Sequence, residues 1–385
     1  MFIGSFLLLP LLVLPFYPQD IQYYSAFLKP ALIYLIVGFL LWRLIKKGEE
    51  TSLSLKEGGI IVLISWILAI IGSALPFILA NKLNFTQAVF ESTSGWTTTG
   101  LSVMDESQTP HIFLMWRSIL QFFGGAGLIV VMLSSVLHPY GFGLYRAEGR
   151  SDKLLPHVKK STKMIMYMYS GFVISGIIMY LLAGMELFDA VNHSMAALST
   201  GGFSTKPESI GYWNSLSIEI VTYILMILGT TNFATHFVLL KGKVKTYLRN
   251  SEIRLMFLLL IIFIPLIAYF ALNQIYTTMP SAIRRSIFEV ISAVSTTGFS
   301  LDSFTGWNLF GTFAIIILML IGGGTGSTAG GIKLYRIHLM LKSIWWELKS
   351  YFFPPNAVVK NYIWRGDRKI FIKNEYIKQT ANYIF

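Results

Sequence analysis

The sequence predicts an all-α integral membrane protein assembled from a repeated unit of helix, re-entrant loop and helix. Three observations lead there. Of 385 residues, 54% are hydrophobic and 13% charged, a balance far from that of a soluble domain. The apolar residues gather into eight stretches near or above the length a hydrocarbon core requires, at about 2–17, 24–44, 58–80, 111–136, 164–184, 214–240, 252–272 and 307–331. A short pattern of small hydroxylic residues and glycine also recurs about every hundred residues: Thr97-Thr98-Thr99-Gly100-Leu101-Ser102, Ser199-Thr200-Gly201-Gly202-Phe203-Ser204 and Ser295-Thr296-Thr297-Gly298-Phe299-Ser300.

Taken in order, residues 1–17 are apolar throughout, with no basic start and no small-residue cleavage site, so they read as a spanning helix rather than a signal peptide. With the stretch at 24–44 they make an N-terminal helix pair within residues 1–50. Residues 51–150, 151–250 and 251–353 are three copies of the repeat, here A, B and C. In each, the segment before the glycine (85–95, 187–198 and 281–294) is too short to span but long enough for about three helical turns, so it predicts a half-helix. The remainder, 354–385, opens with Pro354-Pro355 and is rich in Lys and Arg, which predicts a cytoplasmic connection.

Basic residues set the orientation. Of 31 Lys and Arg, 25 lie on alternate connections: Arg43 to Lys56, Arg146 to Lys163, Lys241 to Arg254, and Lys333 to Lys378. Basic loops stay on the cytoplasmic side, so both termini are expected inside and the three glycine loops outside. The net charge of +12 then follows from topology, and a nucleic-acid partner is not required. The chain has no cysteine, which excludes disulfides and thiolate chemistry.

Irregular backbone at membrane depth is tolerated only where it lines a cavity or is buried in protein, so three such loops predict a shared polar path. A half-helix whose C-terminal end points inward favours a cation near the midplane. Extended Thr-Thr-Gly or Thr-Gly-Gly backbone turns carbonyls to the axis, and a ring of carbonyls replaces the hydration shell of an alkali metal ion.

At these residues the chain resembles the Trk/Ktr/HKT superfamily of potassium and sodium translocating subunits, and most closely its TrkH branch. Further matching features are Phe122-Phe123-Gly124-Gly125-Ala126-Gly127, Leu144-Tyr145-Arg146-Ala147-Glu148, and Gly322-Gly323-Gly324-Thr325-Gly326-Ser327-Thr328-Ala329-Gly330-Gly331-Ile332-Lys333. The resemblance implies potassium as transported substrate, with no organic cofactor. It implies ion coordination by the carbonyls of Thr98, Thr99, Thr200, Gly201, Thr296 and Thr297, with Gly100, Gly202 and Gly298 as filter glycines. Glycine at every filter position is associated in the family with potassium, and serine in the first repeat with sodium. The run at 322–333 corresponds to a gate loop below the filter, in the broken middle of a helix. A plasma-membrane homodimer and a cytoplasmic nucleotide-binding regulatory subunit of the TrkA type are implied as well. The family has four repeats and this sequence presents three, so the sequence predicts a chain truncated before the fourth, and a non-conducting interaction subunit is the alternative function.

Other residues carry plainer expectations. Gly124 to Gly127 suit a close helix crossing. The glycine run at 322–333 lacks the Gly-Lys-Ser/Thr ending of a phosphate-binding loop. Lys333 reads as an anchor at the cytoplasmic boundary or as a contact to the gate loop. Glu91 and Arg117 lie at membrane depth, where charges pair, so they predict an ion pair across repeat A; Glu289 is a third such charge. Asn192 and His193 suit interior hydrogen bonds, since a histidine without spaced partners makes no metal site. Asp105, Glu106, Glu208 and Asp302 read as solvated loop charge just outside the glycine loops, or as charge that concentrates cations at the mouth. No convergent nucleophile, acid and base set points to an enzyme.

Overall fold

The computed structural model describes residues 1–44, 55–127, 158–354, 361–365 and 368–384. It divides into two compact units, Met1–Leu225 with Thr297–Leu301, and Met226–Thr296 with Asp302–Phe385. Leu144 to Glu148 and much of the basic run from Arg146 lie outside the described residues.

In the first unit, α1 (Phe2–Leu8) tightens into a 3-10 turn at Leu9–Val13. Pro10, which has no N–H to donate, opens that turn, so the expected first span is a shorter, irregular apolar helix over Phe2–Val13. Next come α2 (Tyr24–Leu44) and α3 (Leu55–Leu79). They cross closely because Gly72 admits the Tyr34 ring, whose hydroxyl donates to Leu68 O at 3.0 Å. The half-helix α4 (Phe85–Trp96) begins at a reciprocal cap between Asn84 and Gln87. Then α5 (His111–Ala126), α6 (Val158–Leu182) and α7 (Leu187–Leu198) follow. The next helix, α8 (Leu216–Thr230), runs from the first unit into the second.

The second unit continues with α9 (Phe233–Leu240), α10 (Val244–Arg249) and α11 (Ser251–Ile267), which ends in a π turn at Ala268–Leu272. The third half-helix is α12 (Met279–Ser295), followed by α13 (Leu309–Ile321) and α14 (Leu334–Ser350). All three half-helices thus form where the spacing predicted them, within two residues at each end.

Among the described residues four helices are long and apolar enough to cross a bilayer, or five if the bent pair α8 and α9 is one span. Eight candidate spans are expected from hydropathy; the described residues differ from them chiefly at the second helix of each repeat. The α5 helix ends at Gly127, with the remainder of the stretch to 136 outside the described residues. The stretch 214–240 bends by 109° between α8 and α9, and 307–331 stops at Ile321. Hydropathy averages over small residues; it does not register that glycine and Asn232 release backbone groups from the helical ladder.

The expectation of an all-α chain is corrected too. In the C-terminal stretch β1 (Tyr362–Arg365) pairs antiparallel with β2 (Arg368–Phe371), Tyr362 opposite Phe371 and Arg365 opposite Arg368, before α15 (Asn374–Ile384). Two runs rich in aromatic and β-branched residues, separated by Gly366-Asp367 in the sequence, favour a hairpin.

Candidate functional site

The three glycine loops share one backbone form. Each half-helix ends in a threonine in the left-handed region, Thr98 (φ 54°), Thr200 (φ 52°) and Thr296 (φ 56°), and two residues later a glycine has positive φ: Gly100 (81°), Gly202 (76°) and Gly298 (82°). Thr98 N–H donates to Gly95 O and Thr99 N–H to Ser94 O, at 3.1 and 2.9 Å; Thr200 and Gly201 repeat these bonds to Ala197 and Ala196. This is the helix-ending geometry that glycine ordinarily occupies. A side chain there costs about 1–2 kcal/mol. The hydroxyls of Thr98 and Thr200 donate to the preceding carbonyls of Thr97 and Ser199, each at 2.7 Å. The extended backbone expected from the sequence is thus corrected at two positions of each loop: the threonine is left-handed and the glycine two residues on has positive φ.

Within the first unit the loops nest. A Cβ on Gly100 would stand 2.1 Å from Gly201 O, and one on Gly202 would stand 2.0 Å from Thr297 O. Loop B lies between its neighbours, with Thr200 and Thr297 buried, while Thr99 and Gly298 are exposed. Around Gly298 a Cβ would meet open space. Gly100, Gly201, Gly202 and Thr297, from three distant parts of the sequence, are therefore adjacent.

Two polar side chains of α5 hold this nest. The Gln121 amide is fully buried; it donates to Gly201 O at 2.7 Å and accepts from Phe203 N–H at 3.1 Å. Its side chain also fills the space a Cβ at Gly201 would need. Arg117, 1% exposed, makes the expected pair with Glu91 at 2.7 Å. It also reaches Glu106 at 3.0 Å and Ser204 O at 3.2 Å, and lies over the Phe203 ring at 4.1 Å. Glu91 in turn accepts from Ser102 Oγ and Val103 N–H, both at 3.0 Å. One buried cation between two carboxylates thus ties the exit of loop A to the exit of loop B.

His193 has both ring nitrogens engaged, Nδ1 with Asp189 O at 2.8 Å and Nε2 with Ser204 Oγ at 3.0 Å. Among the described residues no group of three metal-ligating side chains occurs. Gly124 and Gly125 fill the packing role expected of them: Cβ atoms there would press on Trp96 O and on the Ser199 side chain. Of the acidic residues expected to be solvated, Glu106 is bound to Arg117, and in the second unit Asp302 pairs with Arg285 at 3.0 Å and accepts from Tyr276 Oη at 2.6 Å. Burial, and after it the Asp302 contact, pushes the Tyr276 phenol up from its ordinary range.

In the second unit, residues 322–333 separate α13 from α14 and occupy the break between α8 and α9. Gly324 N–H donates to Thr230 O at 2.9 Å and Thr328 N–H to Gly229 O at 3.1 Å, using carbonyls that an unbroken α8 would give to its next turn. Asn232 caps α9 by accepting from Ala234 N–H at 2.6 Å and donates to Thr325 O. Glu252 accepts from Thr325 N–H at 2.9 Å. At the loop's far end Gly330 N–H donates to Thr296 Oγ1 at 2.7 Å, so the glycine-rich loop is bonded to the threonine that closes the third half-helix. Lys333 Nζ donates to Ala329 O; of its two expected roles, contact with the loop is the one observed.

Asn232→Ala is expected to loosen this loop, because one side chain supplies both a cap and a bond to Thr325. A cost of about 1–2 kcal/mol is anticipated. Hydrogen exchange over residues 322–333 is expected to speed up by about tenfold or more, and unchanged exchange would contradict the assigned anchor.

The TrkH family, described as a cation transport protein family, matches residues 24–379. The chain belongs to the TrkH family. It is 36% identical over 347 residues to the Trk system potassium uptake protein TrkH of Escherichia coli (strain K12), covering 86% of this chain and 71% of that protein. An uncharacterized cation transporter of Methanocaldococcus jannaschii is 33% identical over 366 residues, covering 94% of this chain and 73% of that one. The crystal structure of the potassium transporter TrkH from Vibrio parahaemolyticus matches with a TM-score of 0.83 at 28% identity, over 98% of this chain and 79% of that chain.

Sequence reading of this TrkH-family chain missed Gln121, Asn232 and Glu252. Gln121 is a polar residue within the apolar run Ile119-Leu120-Gln121-Phe122-Phe123, and Asn232 after Gly229-Thr230-Thr231 is a helix-start signal inside a predicted span. Glu252 follows Asn250-Ser251 at the start of α11 and carries no sequence sign of its partner in the loop.

Proposed function

We propose that this TrkH-family membrane protein is a potassium-translocating subunit, with an ion path lined by the carbonyls of Thr98, Thr99, Thr200, Gly201, Thr296 and Thr297. One observation carries the reading. Gly100 lies against the carbonyl of Gly201 and Gly202 against that of Thr297, so backbone from three parts of the sequence meets here with no side chain between the loops, which supports a carbonyl-lined path. Backbone oxygens held by a packed scaffold suit a dehydrated alkali cation. The names of the Escherichia coli and Vibrio relatives support potassium as the ion.

The run from Gly322 to Lys333 is the gate in this reading. Its bonds run to the broken α8–α9 segment, to Glu252, to the end of α13 and to Thr296, so it links the half-helix end to the helix break. A cytoplasmic regulatory subunit of the TrkA type and a second copy of the chain complete the assembly. The chain sits in the inner membrane with both termini in the cytoplasm, on the strength of its basic loops. The reaction is transport; no covalent step is assigned.

Potassium-limited growth of a host lacking its own uptake systems tests the reading. Expression of the chain is expected to restore growth, whereas a non-conducting interaction subunit leaves it unchanged. Gly100→Ser sharpens the test, since its Cβ would push Gly201 O out of position. Potassium-over-sodium preference in a rescuing protein is expected to fall by about tenfold or more, a shift of about 1.4 kcal/mol between the two ions. An unchanged preference in a conducting protein would count against the filter.

A further inference from the structure

The second unit contains a cavity of about 490 Å³ whose lining, among the described residues, includes no glycine-loop residue. It lies where the end of α10, the start of α11, α14 and β1 come together. Its charge is one-sided: among the described residues Arg249, Arg254, Lys342 and Lys349 line it and no carboxylate does. His338 also faces it, four residues before Lys342 on α14, so the two share a helix face. Burial, and then the neighbouring Lys342 charge, holds the His338 imidazole down to about 4, so at neutral pH the four fixed cations make the field.

The walls are aromatic and well supported. The Arg249 guanidinium lies over the Trp364 ring at 4.2 Å, and Ser251 Oγ donates to Trp364 O at 2.6 Å, which fixes β1 against the start of α11. Arg254 Nε donates to Leu248 O at 2.9 Å, fixing the root of a second guanidinium. Trp345, Trp346 and Tyr362 add further aromatic lining. Four cations brought together without a carboxylate repel one another, and a bound anion relieves that repulsion. Guanidinium groups match phosphate oxygens in geometry as well as charge. The basic connections place this region on the expected cytoplasmic face, where anionic headgroups and soluble phosphates are both at hand.

We propose that this cavity binds a phosphate group, carried by an anionic phospholipid or by a soluble phosphate, at a site separate from the ion path.

The test uses the full chain in a zwitterionic detergent, titrated separately with dioleoylphosphatidylglycerol, dioleoylphosphatidylcholine and inorganic phosphate at constant ionic strength. Thermal midpoint and tryptophan emission are followed, because Trp345, Trp346 and Trp364 line the cavity. Phosphatidylglycerol or phosphate is expected to raise the midpoint and change emission, with phosphatidylcholine inert. A response to the lipid alone identifies a headgroup, and a response to phosphate alone identifies a soluble ligand. Arg249→Gln with Lys342→Gln is expected to weaken binding on the order of a hundredfold through loss of two charge-assisted contacts. Lys349→Gln, at an exposed position that tolerates substitution, is the second variant, with an expected loss of about tenfold. Lys245→Gln, on the same basic connection but outside the cavity, is expected to change nothing. Silence with both phosphate sources, or equal binding by the wild type and Lys349→Gln, overturns the proposal.

Discussion

Gly202→Ala is expected to abolish ion uptake and to lower stability by about 3–5 kcal/mol. The new methyl would stand 2.0 Å from Thr297 O, a backbone atom that cannot rotate away, and the residue would keep a φ of 76°. Gly298→Ala separates the two causes. It has nearly the same backbone angle, 82°, but its Cβ enters open space, so only the left-handed penalty of about 1–2 kcal/mol applies. Thermal unfolding in detergent and rubidium uptake in vesicles measure the difference. Equal losses for the two variants would mean that backbone angle alone, and not the nesting of loops, sets the requirement for glycine.

Arg117→Met is expected to cost about 3–5 kcal/mol, because it leaves Glu91 buried without its cation. Glu91 is fully buried and holds Ser102 and Val103 as well as Arg117, so the damage should reach the exit of loop A. The double variant Glu91→Gln/Arg117→Met is expected to be more stable than Arg117→Met, since an amide is left where a buried charge would be. A double-mutant cycle on unfolding free energy should give a coupling of about 1–3 kcal/mol. Additive losses would show that the two side chains stabilise the fold independently, despite their 2.7 Å contact.

These two expectations rest on different levels of legibility. The pairing of Glu91 with Arg117 was readable because two charges at membrane depth on neighbouring helices have few other ways to be satisfied. The half-helices were readable because their length is set by the distance between an apolar span and a glycine. The partner of Gly202 was not readable, because nothing local in Gly202-Phe203 indicates that Thr297, far along the chain, will occupy the volume of a missing side chain. Gln121 shows the same limit: its type marks it as unusual in α5, but its acceptance of Phe203 N–H and donation to Gly201 O depend on how α5 and loop B come together.

The helix breaks illustrate a further boundary. Hydropathy treats 214–240 as one span because every residue there is compatible with lipid on average. The break appears only when Gly324 and Thr328 compete for the carbonyls of Thr230 and Gly229, and Asn232 takes over as a cap. Those competing donors lie about a hundred residues downstream, so a local window cannot weigh them.

The sequence by itself determined the membrane class and the three half-helix and glycine-loop segments, because length, polarity and glycine content act locally and are written along the chain. The tertiary structure alone decided which glycine meets which carbonyl, where the second helices break and how the glycine-rich loop is bonded to Thr296. Those are contacts between distant segments, and their energies depend on distances that no stretch of sequence contains.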